Sequence, residues 1–554
     1  MALHAAFSPG RAIRRASGAV RVLLLACALA ACGGGGGGGG GGGSAAPAPF
    51  NVASLGAWPQ LAAQCAAPRT GVDPYTGLAY PDRQGSILTE QNWLAAWTND
   101  TYLWYSDLSY PDPKGYATAL AYFNVLKSPL STPSGKAKDR FHFTYPTAVW
   151  EALSLSGVQA GYGATWALLS SQPPRQAVVA YTEPNSPATT VSAALNPVLA
   201  RGAQVLQVDG VDLVNDSTQA GVDALNAGLF PATVGEVHTF VVQDLNGTIR
   251  TITLTSANVT SSPVQNVQTL TGTSPGAVGY LLFNDHLATA EPALVTAVNT
   301  LKAAAVSDLI LDIRYNGGGY LDIASELAYM IAGPGSTNGK TFDQIKFNAK
   351  HPSVDPVLNA PITPTAFHST AQGFTASPAA GTPLPYLGLS RVYVITGSGT
   401  CSASEAVING LRGVGVNVIQ IGSTTCGKPY GFYPADNCGT TYFSIQFQGV
   451  NQAGFGNYPD GFVPSNGATT GIDPGAILPG CSVKDDFTQP LGSPTEARVA
   501  AALAYRDSGA ALACPAATGI AGPPGLRQSL AAAEGKVFKS AVLTNRILRP
   551  ATPH

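Results

Sequence analysis

The sequence predicts three successive regions, the largest of them an α/β domain whose sheet is at least partly parallel. Three observations carry this. Between residues 266 and 515 short apolar runs alternate with helix-length amphipathic stretches, the pattern of βαβ units. Between 156 and 265 the pattern changes to short alternating strands with turns at Asp209-Gly210 and Asn246-Gly247, which predicts a small β domain. Residues 50–155 carry aromatic side chains at helical spacing, in Asn92-Trp93-Leu94-Ala95-Ala96-Trp97 and again in Tyr102-Leu103-Trp104-Tyr105, and read as a helical N-terminal region.

A chain of 554 residues is too long for one compact core, so several domains are expected. With 45% apolar and only 11% charged residues it has ample core material and is no disordered polyelectrolyte. A formal net charge of −2 gives no electrostatic footing for a nucleic-acid partner.

The chain opens with Arg11, Arg14 and Arg15 ahead of an apolar stretch at 20–31 that is too short to span a bilayer, so residues 1–32 read as a signal peptide. Its end, Leu29-Ala30-Ala31-Cys32, resembles the bacterial lipobox, which implies acylation of Cys32; an ordinary cleavage site ahead of a cysteine is the alternative. The polyglycine run that follows cannot pack, and 33–49 is expected to be a flexible tether to a membrane anchor. The expected location is therefore the bacterial cell envelope, lipid-anchored and facing the periplasm. Gly33, in place of the aspartate of inner-membrane lipoproteins, favours the outer membrane.

With Cys27 removed and Cys32 acylated, six cysteines remain, at 65, 401, 426, 438, 481 and 514. An even set in an exported chain suggests disulfides. Cys426 and Cys438 are the preferred pair, since they bracket a turn-rich loop with Gly427, Pro429 and Gly431. A metal site is not assigned: there is no CxxC spacing and no histidine near these cysteines.

In the small β domain strands are expected at 204–208, 238–243 and 248–254. The α/β domain is expected to run strand 278–283, helix 289–305, strand 308–313, helix 322–332, strand 392–395, helix 403–411 and strand 416–421, with a last helix at 494–505. The tail 516–554 holds one amphipathic stretch near 528–543.

Sites in parallel α/β sheets form where loops leave the carboxyl ends of strands. Three such loops are rich in chemistry: Arg314-Tyr315-Asn316-Gly317-Gly318-Gly319, Gly397 through Ser402, and Gly422 through Lys428. Ser402 immediately precedes a helix, where free N–H groups and the helix dipole favour negative charge, so it can attack a carbonyl while the Ala403 N–H meets the oxyanion. Ser402-Ala403-Ser404-Glu405 is also a capping box, which by itself accounts for the serine. A serine needs a base, and Lys428 on a glycine-lined loop can serve if desolvated, the alternative being a surface lysine in a turn. His286 beside Asp285 offers a Ser/His/Asp alternative, and Asp312 and Arg314 read as an ion pair or loop anchor.

Together, Asp312-Ile313-Arg314-Tyr315-Asn316-Gly317-Gly318-Gly319, Thr400-Cys401-Ser402-Ala403-Ser404-Glu405 and Gly427-Lys428 resemble the three ordered blocks of the S41 peptidases, the C-terminal processing peptidases. The resemblance implies a ClpP/crotonase-like catalytic domain with Ser402 as nucleophile, Lys428 as general base and then acid, and the N–H groups of Ala403 and of Gly318 or Gly319 as oxyanion donors. No cofactor is implied. It also implies a serine endopeptidase whose partners are polypeptides of the exported or periplasmic space. Asp139-Arg140-Phe141 is similar to the segment ahead of the family's PDZ domain, Gly161-Tyr162-Gly163 to its carboxylate-binding loop, and Ser186-Pro187-Ala188 with Val205 through Gly210 to its later signature. Residues 156–265 are thus expected to be PDZ-like, binding substrate C-termini through Gly161, Tyr162 and Gly163. A β module without a peptide ligand remains open.

The sequence departs from the family pattern at Gly202-Ala203, where Gly-Asp is usual, at Phe432 in place of a glutamine, and at Gly413 in place of an aspartate. Cys401 and Cys426 flank the dyad, and a disulfide between them is a second reading of the cysteines. The competing functions are a peptide-binding scaffold without turnover and an acyl hydrolase using the same serine and lysine.

Overall fold

The computed structural model describes residues 50–190, 198–270, 276–508, 514–515, 536–539 and 546–548. The expected signal peptide, Cys32 and the tether at 33–49 lie outside the described residues. Among the described residues no helix is long and apolar enough to cross a membrane.

Helix α1 (Ile87–Thr101) starts at Ser86, whose side chain accepts the Thr89 N–H while Thr89 Oγ1 accepts the Ser86 N–H, a reciprocal cap. It buries Trp93, Leu94 and Trp97 against Tyr122 and Phe123, with the two indoles stacked at 5.3 Å. The expected helical continuation through Tyr102-Leu103-Trp104-Tyr105 does not form. Tyr102 is extended, because the Leu103 N–H donates to Ile445 O at 2.8 Å and the Tyr102 hydroxyl donates to Asp139 at 2.6 Å. Region 50–155 also contributes β1 (Phe143–Pro146), which pairs antiparallel with Thr440–Phe443. It is therefore helical only in part.

The cysteines pair as Cys65–Cys438, Cys401–Cys426 and Cys481–Cys514. The preferred pair Cys426–Cys438 is thus wrong, and the second reading, Cys401–Cys426, is the one found. Cys438 occupies the turn between Ala435–Asn437 and Thr440–Phe443 and meets Cys65, while the Cys426 N–H is held by Thr400 O at 2.9 Å.

The small domain comprises β2 (Val158–Gly161), β3 (Ala164–Ser170), β4 (Gln176–Thr182), β5 (Gln204–Val208), α2 (Gln219–Leu229), β6 (Val237–Gln243), β7 (Ile249–Thr255) and β8 (Ala257–Thr260). Its main sheet has the order β7-β6-β5-β4-β3, antiparallel throughout, and β2 pairs separately with β8. In β7, Ile252 and Leu254 are buried while Thr251, Thr253 and Thr255 are exposed, the period of two that a half-buried strand requires.

The α/β domain comprises β9 (Val264–Leu270), β10 (Val278–Phe283), α3 (Ala290–Ala303), β11 (Asp308–Asp312), β12 (Gly319–Tyr320), α4 (Leu321–Ala332), β13 (Arg391–Thr396), α5 (Ala403–Gly413), β14 (Asn417–Gly422), β15 (Gly480–Ser482) and α6 (Ala497–Ser508). Its sheet order is β9-β10-β11-β13-β14-β15, with β9 antiparallel at one edge and all other pairings parallel. Parallel strands need cover on both faces, and they have it. Leu281, Phe283, Leu309, Leu311, Val392 and Val394 face α3, α4 and α5. Tyr280, Leu282, Ile310, Tyr393 and Ile395 face α6 and residues of β3 and β4.

Two short strands come from the tail: β16 (Lys536–Val537) is antiparallel to β3, extending that sheet, and β17 (Arg546–Ile547) is parallel to β12. The expected amphipathic stretch at 528–543 lies mostly outside the described residues, and its described part, 536–539, includes a strand. A sheet edge with unpaired N–H and C=O groups recruits an extended partner whatever the partner's helical periodicity.

Candidate active site

The loops leaving β11, β13 and β14 interlock through their backbones. Asn316 O accepts the Cys401 N–H at 3.1 Å and the Ser404 hydroxyl at 2.9 Å, and Ile313 O accepts the Thr400 hydroxyl at 2.8 Å. The Cys426 N–H closes the third side on Thr400 O, and the Cys401–Cys426 disulfide adds a covalent tie.

Ser402 is held at φ 61°, ψ −111°, a conformation that costs a non-glycine residue energy and persists where its surroundings over-determine it. Its side chain is fully buried, and Oγ has no hydrogen-bond partner among the described residues. Of the capping box only the returning half has hydrogen-bond geometry, the Ser402 N–H donating to Glu405 Oε2 at 2.9 Å. The hydroxyl is therefore not spent on the helix. The Ala403 N–H, at the first position of α5, has no acceptor among the described residues and opens the positive end of the helix dipole.

Glu405 joins two of the loops. Its Oε1 accepts from Thr425 Oγ1 at 2.5 Å and Gly427 N at 2.8 Å, while Oε2 accepts from Ser402 N at 2.9 Å and Lys428 N at 2.8 Å. Complete burial pushes its carboxyl above the ordinary range, against these four donors. Cys401, Glu405 and Cys426 cluster closely enough to suggest metal ligands, but the two sulfurs are bonded to each other and offer no thiolate.

Lys428 is fully buried, with Nζ 4.8 Å from the Phe141 ring centroid and 4.7 Å from that of Phe432. Where the family pattern has a glutamine, this chain thus sets an aromatic face against the amine. Arg140 props the same loop, donating from Nη2 to Cys426 O at 2.7 Å, Gly427 O at 3.2 Å and Pro459 O at 2.9 Å. Gly413 has no room for an aspartate, since a Cβ there would stand 2.9 Å from the Asn451 side chain and 3.0 Å from Gln452 N.

The triple-glycine loop is shaped by close approach. Gly319, at φ +135°, would bring a Cβ within 2.3 Å of His286 O. The Gly318 N–H is already used, donating to Asn316 Oδ1 at 3.0 Å, which takes Gly318 out of the expected oxyanion donors and leaves Ala403 and Gly319. His286 Nδ1 shares that acceptor at 3.0 Å, Nε2 has no partner among the described residues, and burial drives its pKa down to about 3. Asp285 pairs with Lys539 at 2.9 Å. No Ser/His/Asp arrangement is assembled among the described residues.

Arg314 anchors the first loop, forking onto Asp312 at 2.8 Å, Asp485 at 2.7 Å and Glu496 at 2.8 Å, with Asp312 and Glu496 fully buried and the Asp485 side chain 5% exposed. Gly161, Tyr162 and Gly163 form the turn between β2 and β3. Tyr162 is a core residue there, its ring 5.5 Å from Phe240 and its hydroxyl donating to Gly228 O at 3.0 Å. The reading of the sequence did not foresee the roles of Glu405, Asn316, Arg140 and Phe141. The first two lie inside the quoted blocks, but their partners come from distant loops; Arg140 and Phe141 sit in a segment that was legible only as a resemblance.

Residues 277–431 match the family model of Peptidase family S41. No curated protein matches the chain. Among solved structures, a Bacteroides fragilis NCTC 9343 protein assigned to the S41 proteases superposes with a TM-score of 0.55 at 22% identity, covering 78% of this chain and 99% of its own; this likeness shows the fold. The photosystem II D1 C-terminal processing protease aligns at 18% identity with a TM-score of 0.38, covering 68% of this chain and 91% of its own.

Proposed function

We propose that the chain, whose residues 277–431 match peptidase family S41, hydrolyses polypeptides as a serine endopeptidase with Ser402 as nucleophile and Lys428 as general base. The observation that carries this is the shared acceptor: one carboxylate oxygen, Glu405 Oε2, takes the backbone N–H of both Ser402 and Lys428. Nucleophile and base are thereby held in one frame while the serine hydroxyl is left uncommitted.

In the proposed reaction Ser402 Oγ attacks the scissile carbonyl and its proton passes to the Lys428 amine. The tetrahedral oxyanion is met by the Ala403 N–H at the start of α5. The resulting ammonium returns the proton to the leaving amine, and a water deprotonated by the same lysine hydrolyses the acyl-enzyme. Burial of Lys428 disfavours its ammonium form, while the Phe141 and Phe432 faces favour it.

The small antiparallel domain is proposed to act as a PDZ-like module that captures substrate C-termini at the turn Gly161–Gly163. The chain is proposed to be anchored by acylated Cys32, periplasm-facing and at the outer membrane. The test is cleavage of an unfolded protein by the full chain, beside Ser402→Ala and Lys428→Ala and with the substrate C-terminus amidated. Both substitutions are expected to reduce kcat/KM by at least about 10³-fold, and amidation to raise KM. A folded wild-type chain that cleaves nothing would overturn the peptidase reading.

A further inference from the structure

Four features of the described tail residues point in one direction. First, β16 lies antiparallel on the outer edge of β3, with Lys536 opposite Leu168 and Val537 opposite Ala167, and the Phe538 N–H donates to Trp166 O at 2.9 Å. This is peptide capture by strand addition. The Phe538 ring rests 5.8 Å from Phe230 at the end of α2, so the segment lies where β3 and α2 present main-chain and apolar contacts together. It runs toward the Gly161–Gly163 turn and continues beyond residue 537 rather than ending there.

Second, Lys539 enters the α/β domain and donates to Asn284 O and Asp285 Oδ1, each at 2.9 Å. Asp285 is fully buried, immediately before the His286 whose backbone brackets the triple-glycine loop, and Lys539 is its ion-pair partner. Third, β17 pairs with the triple-glycine loop itself, Arg546 opposite Gly319 and Ile547 opposite Tyr320. Ile547 also bridges Phe432, and the Leu548 N–H donates to Phe432 O at 3.2 Å. Residues 546–548 therefore lie between the triple-glycine loop and the strand after Lys428. Fourth, Ser402 and Lys428 are both at 0% exposure in this arrangement.

We propose that residues 536–539 and 546–548 are an intramolecular ligand occupying the two surfaces on which a polypeptide substrate has to lie, the edge of β3 and the triple-glycine loop respectively, so that substrate binds only by displacing them. The description of those surfaces as substrate surfaces rests on the peptidase reading; the occupancy does not. The chemistry also names the competing peptide: an extended chain antiparallel to β3 with a β-branched residue, an aromatic residue and then a lysine or arginine, the cation answering Asp285. Val537-Phe538-Lys539 is this chain's own version.

The test uses the full chain with a specific protease site inserted after Gly525, folded whole and then cut. Cutting turns an intramolecular contact into a bimolecular one, and at nanomolar enzyme the released segment no longer rebinds. KM for an unfolded polypeptide is expected to fall by at least about tenfold on cutting with kcat unchanged, as for a site freed from an occluding ligand. A synthetic peptide covering residues 534–550 is expected to restore the higher KM, and uncut Lys539→Glu to behave like the cut chain. Equal KM in all three forms would overturn the proposal. A second readout needs no turnover: the same peptide, fluorescently labelled, is expected to bind the cut Ser402→Ala chain and to be displaced by unfolded polypeptide. Binding without displacement would also overturn the proposal. Displacement alongside a wild type that cleaves nothing would support the occupancy and overturn the peptidase reading alone.

Discussion

Glu405 Oε2 lies 2.8 Å from the backbone nitrogen of Lys428, a residue on a different loop of the sheet edge, and accepts its N–H. A carboxylate first legible as half of a helix cap is thus also the support of the loop bearing the proposed base. Its acceptor atoms serve four donors from two loops, and none of those donors is spare.

Glu405→Gln should test this support. The amide keeps one acceptor and replaces the other with a donor that faces N–H groups, so the Lys428 loop shifts. Misplacement of about 1 Å costs on the order of 10²-fold in rate. The expected result is a fall of that size in kcat with KM little changed; a structural role alone would lower Tm and leave kcat of the folded fraction intact.

The Cys401–Cys426 bond closes a loop with a sequence separation of 25 beside both proposed catalytic residues. A loop of this size contributes about 3 kcal/mol in the chain-entropy account. Cys401→Ser with Cys426→Ser is expected to lower stability by about that amount in denaturant unfolding and to reduce kcat. Full activity in the folded double variant would remove the bond from the list of positioning features.

Phe432 and Phe141 place their ring faces 4.7 and 4.8 Å from Lys428 Nζ, an arrangement that stabilises the ammonium. Since the proposed base acts as the free amine, activity is expected to rise with pH. Phe432→Leu keeps the apolar volume and removes one ring. The midpoint of the rising limb of kcat/KM is then expected to move to lower pH by about half a unit.

Burial and the neighbouring Glu291 push Glu326 up to about 9 from an ordinary 4.5. Between those values the folded chain holds a proton that the unfolded chain releases, so this group makes stability fall as pH rises through the window. Glu326→Gln keeps the acceptor for the Gln372 N–H, which Glu326 Oε1 holds at 2.9 Å. It should flatten the pH dependence of Tm above neutrality and raise Tm at alkaline pH. An unchanged slope would show that Glu326 does not titrate in this way.

Arg314→Met leaves Asp312, Asp485 and Glu496 without their shared cation. Removing one member of a buried ionic network costs about 3–5 kcal/mol. Equilibrium unfolding should register a loss of that size, together with disorder at the triple-glycine loop in hydrogen exchange.

The parallel strands were legible because each is a short, continuous apolar run buried on both faces. Thus 278–283 was expected as a strand and Val278–Phe283 is one; 308–313 was expected and Asp308–Asp312 is found. The three loops were legible because topology alone sends them to one edge. What the sequence concealed depends on partners far along the chain. Tyr102 leaves the helical path because Asp139 and Ile445 take its neighbourhood, and neither is visible from local periodicity. Cys426 and Cys438 looked like partners because they are close in sequence. Cys65 meets Cys438 through a contact between distant segments, where the Ala63 N–H donates to Asn437 Oδ1 at 2.7 Å. Residues 536–539 could not announce a strand, since two paired residues make no period and the edge that holds them lies more than three hundred positions earlier.

The Cys65–Cys438 bond spans a sequence separation of 373, and the Phe123, Ser402 and Cys426 regions all fall inside that span. The oxidised chain is therefore a closed ring with two free arms. A single backbone cut anywhere in the ring leaves one covalent object of unchanged mass apart from one added water. Self-digestion inside it would pass unseen on a non-reducing gel and appear as two fragments only after the thiols are freed. An oxidised preparation that looks intact can thus already be nicked.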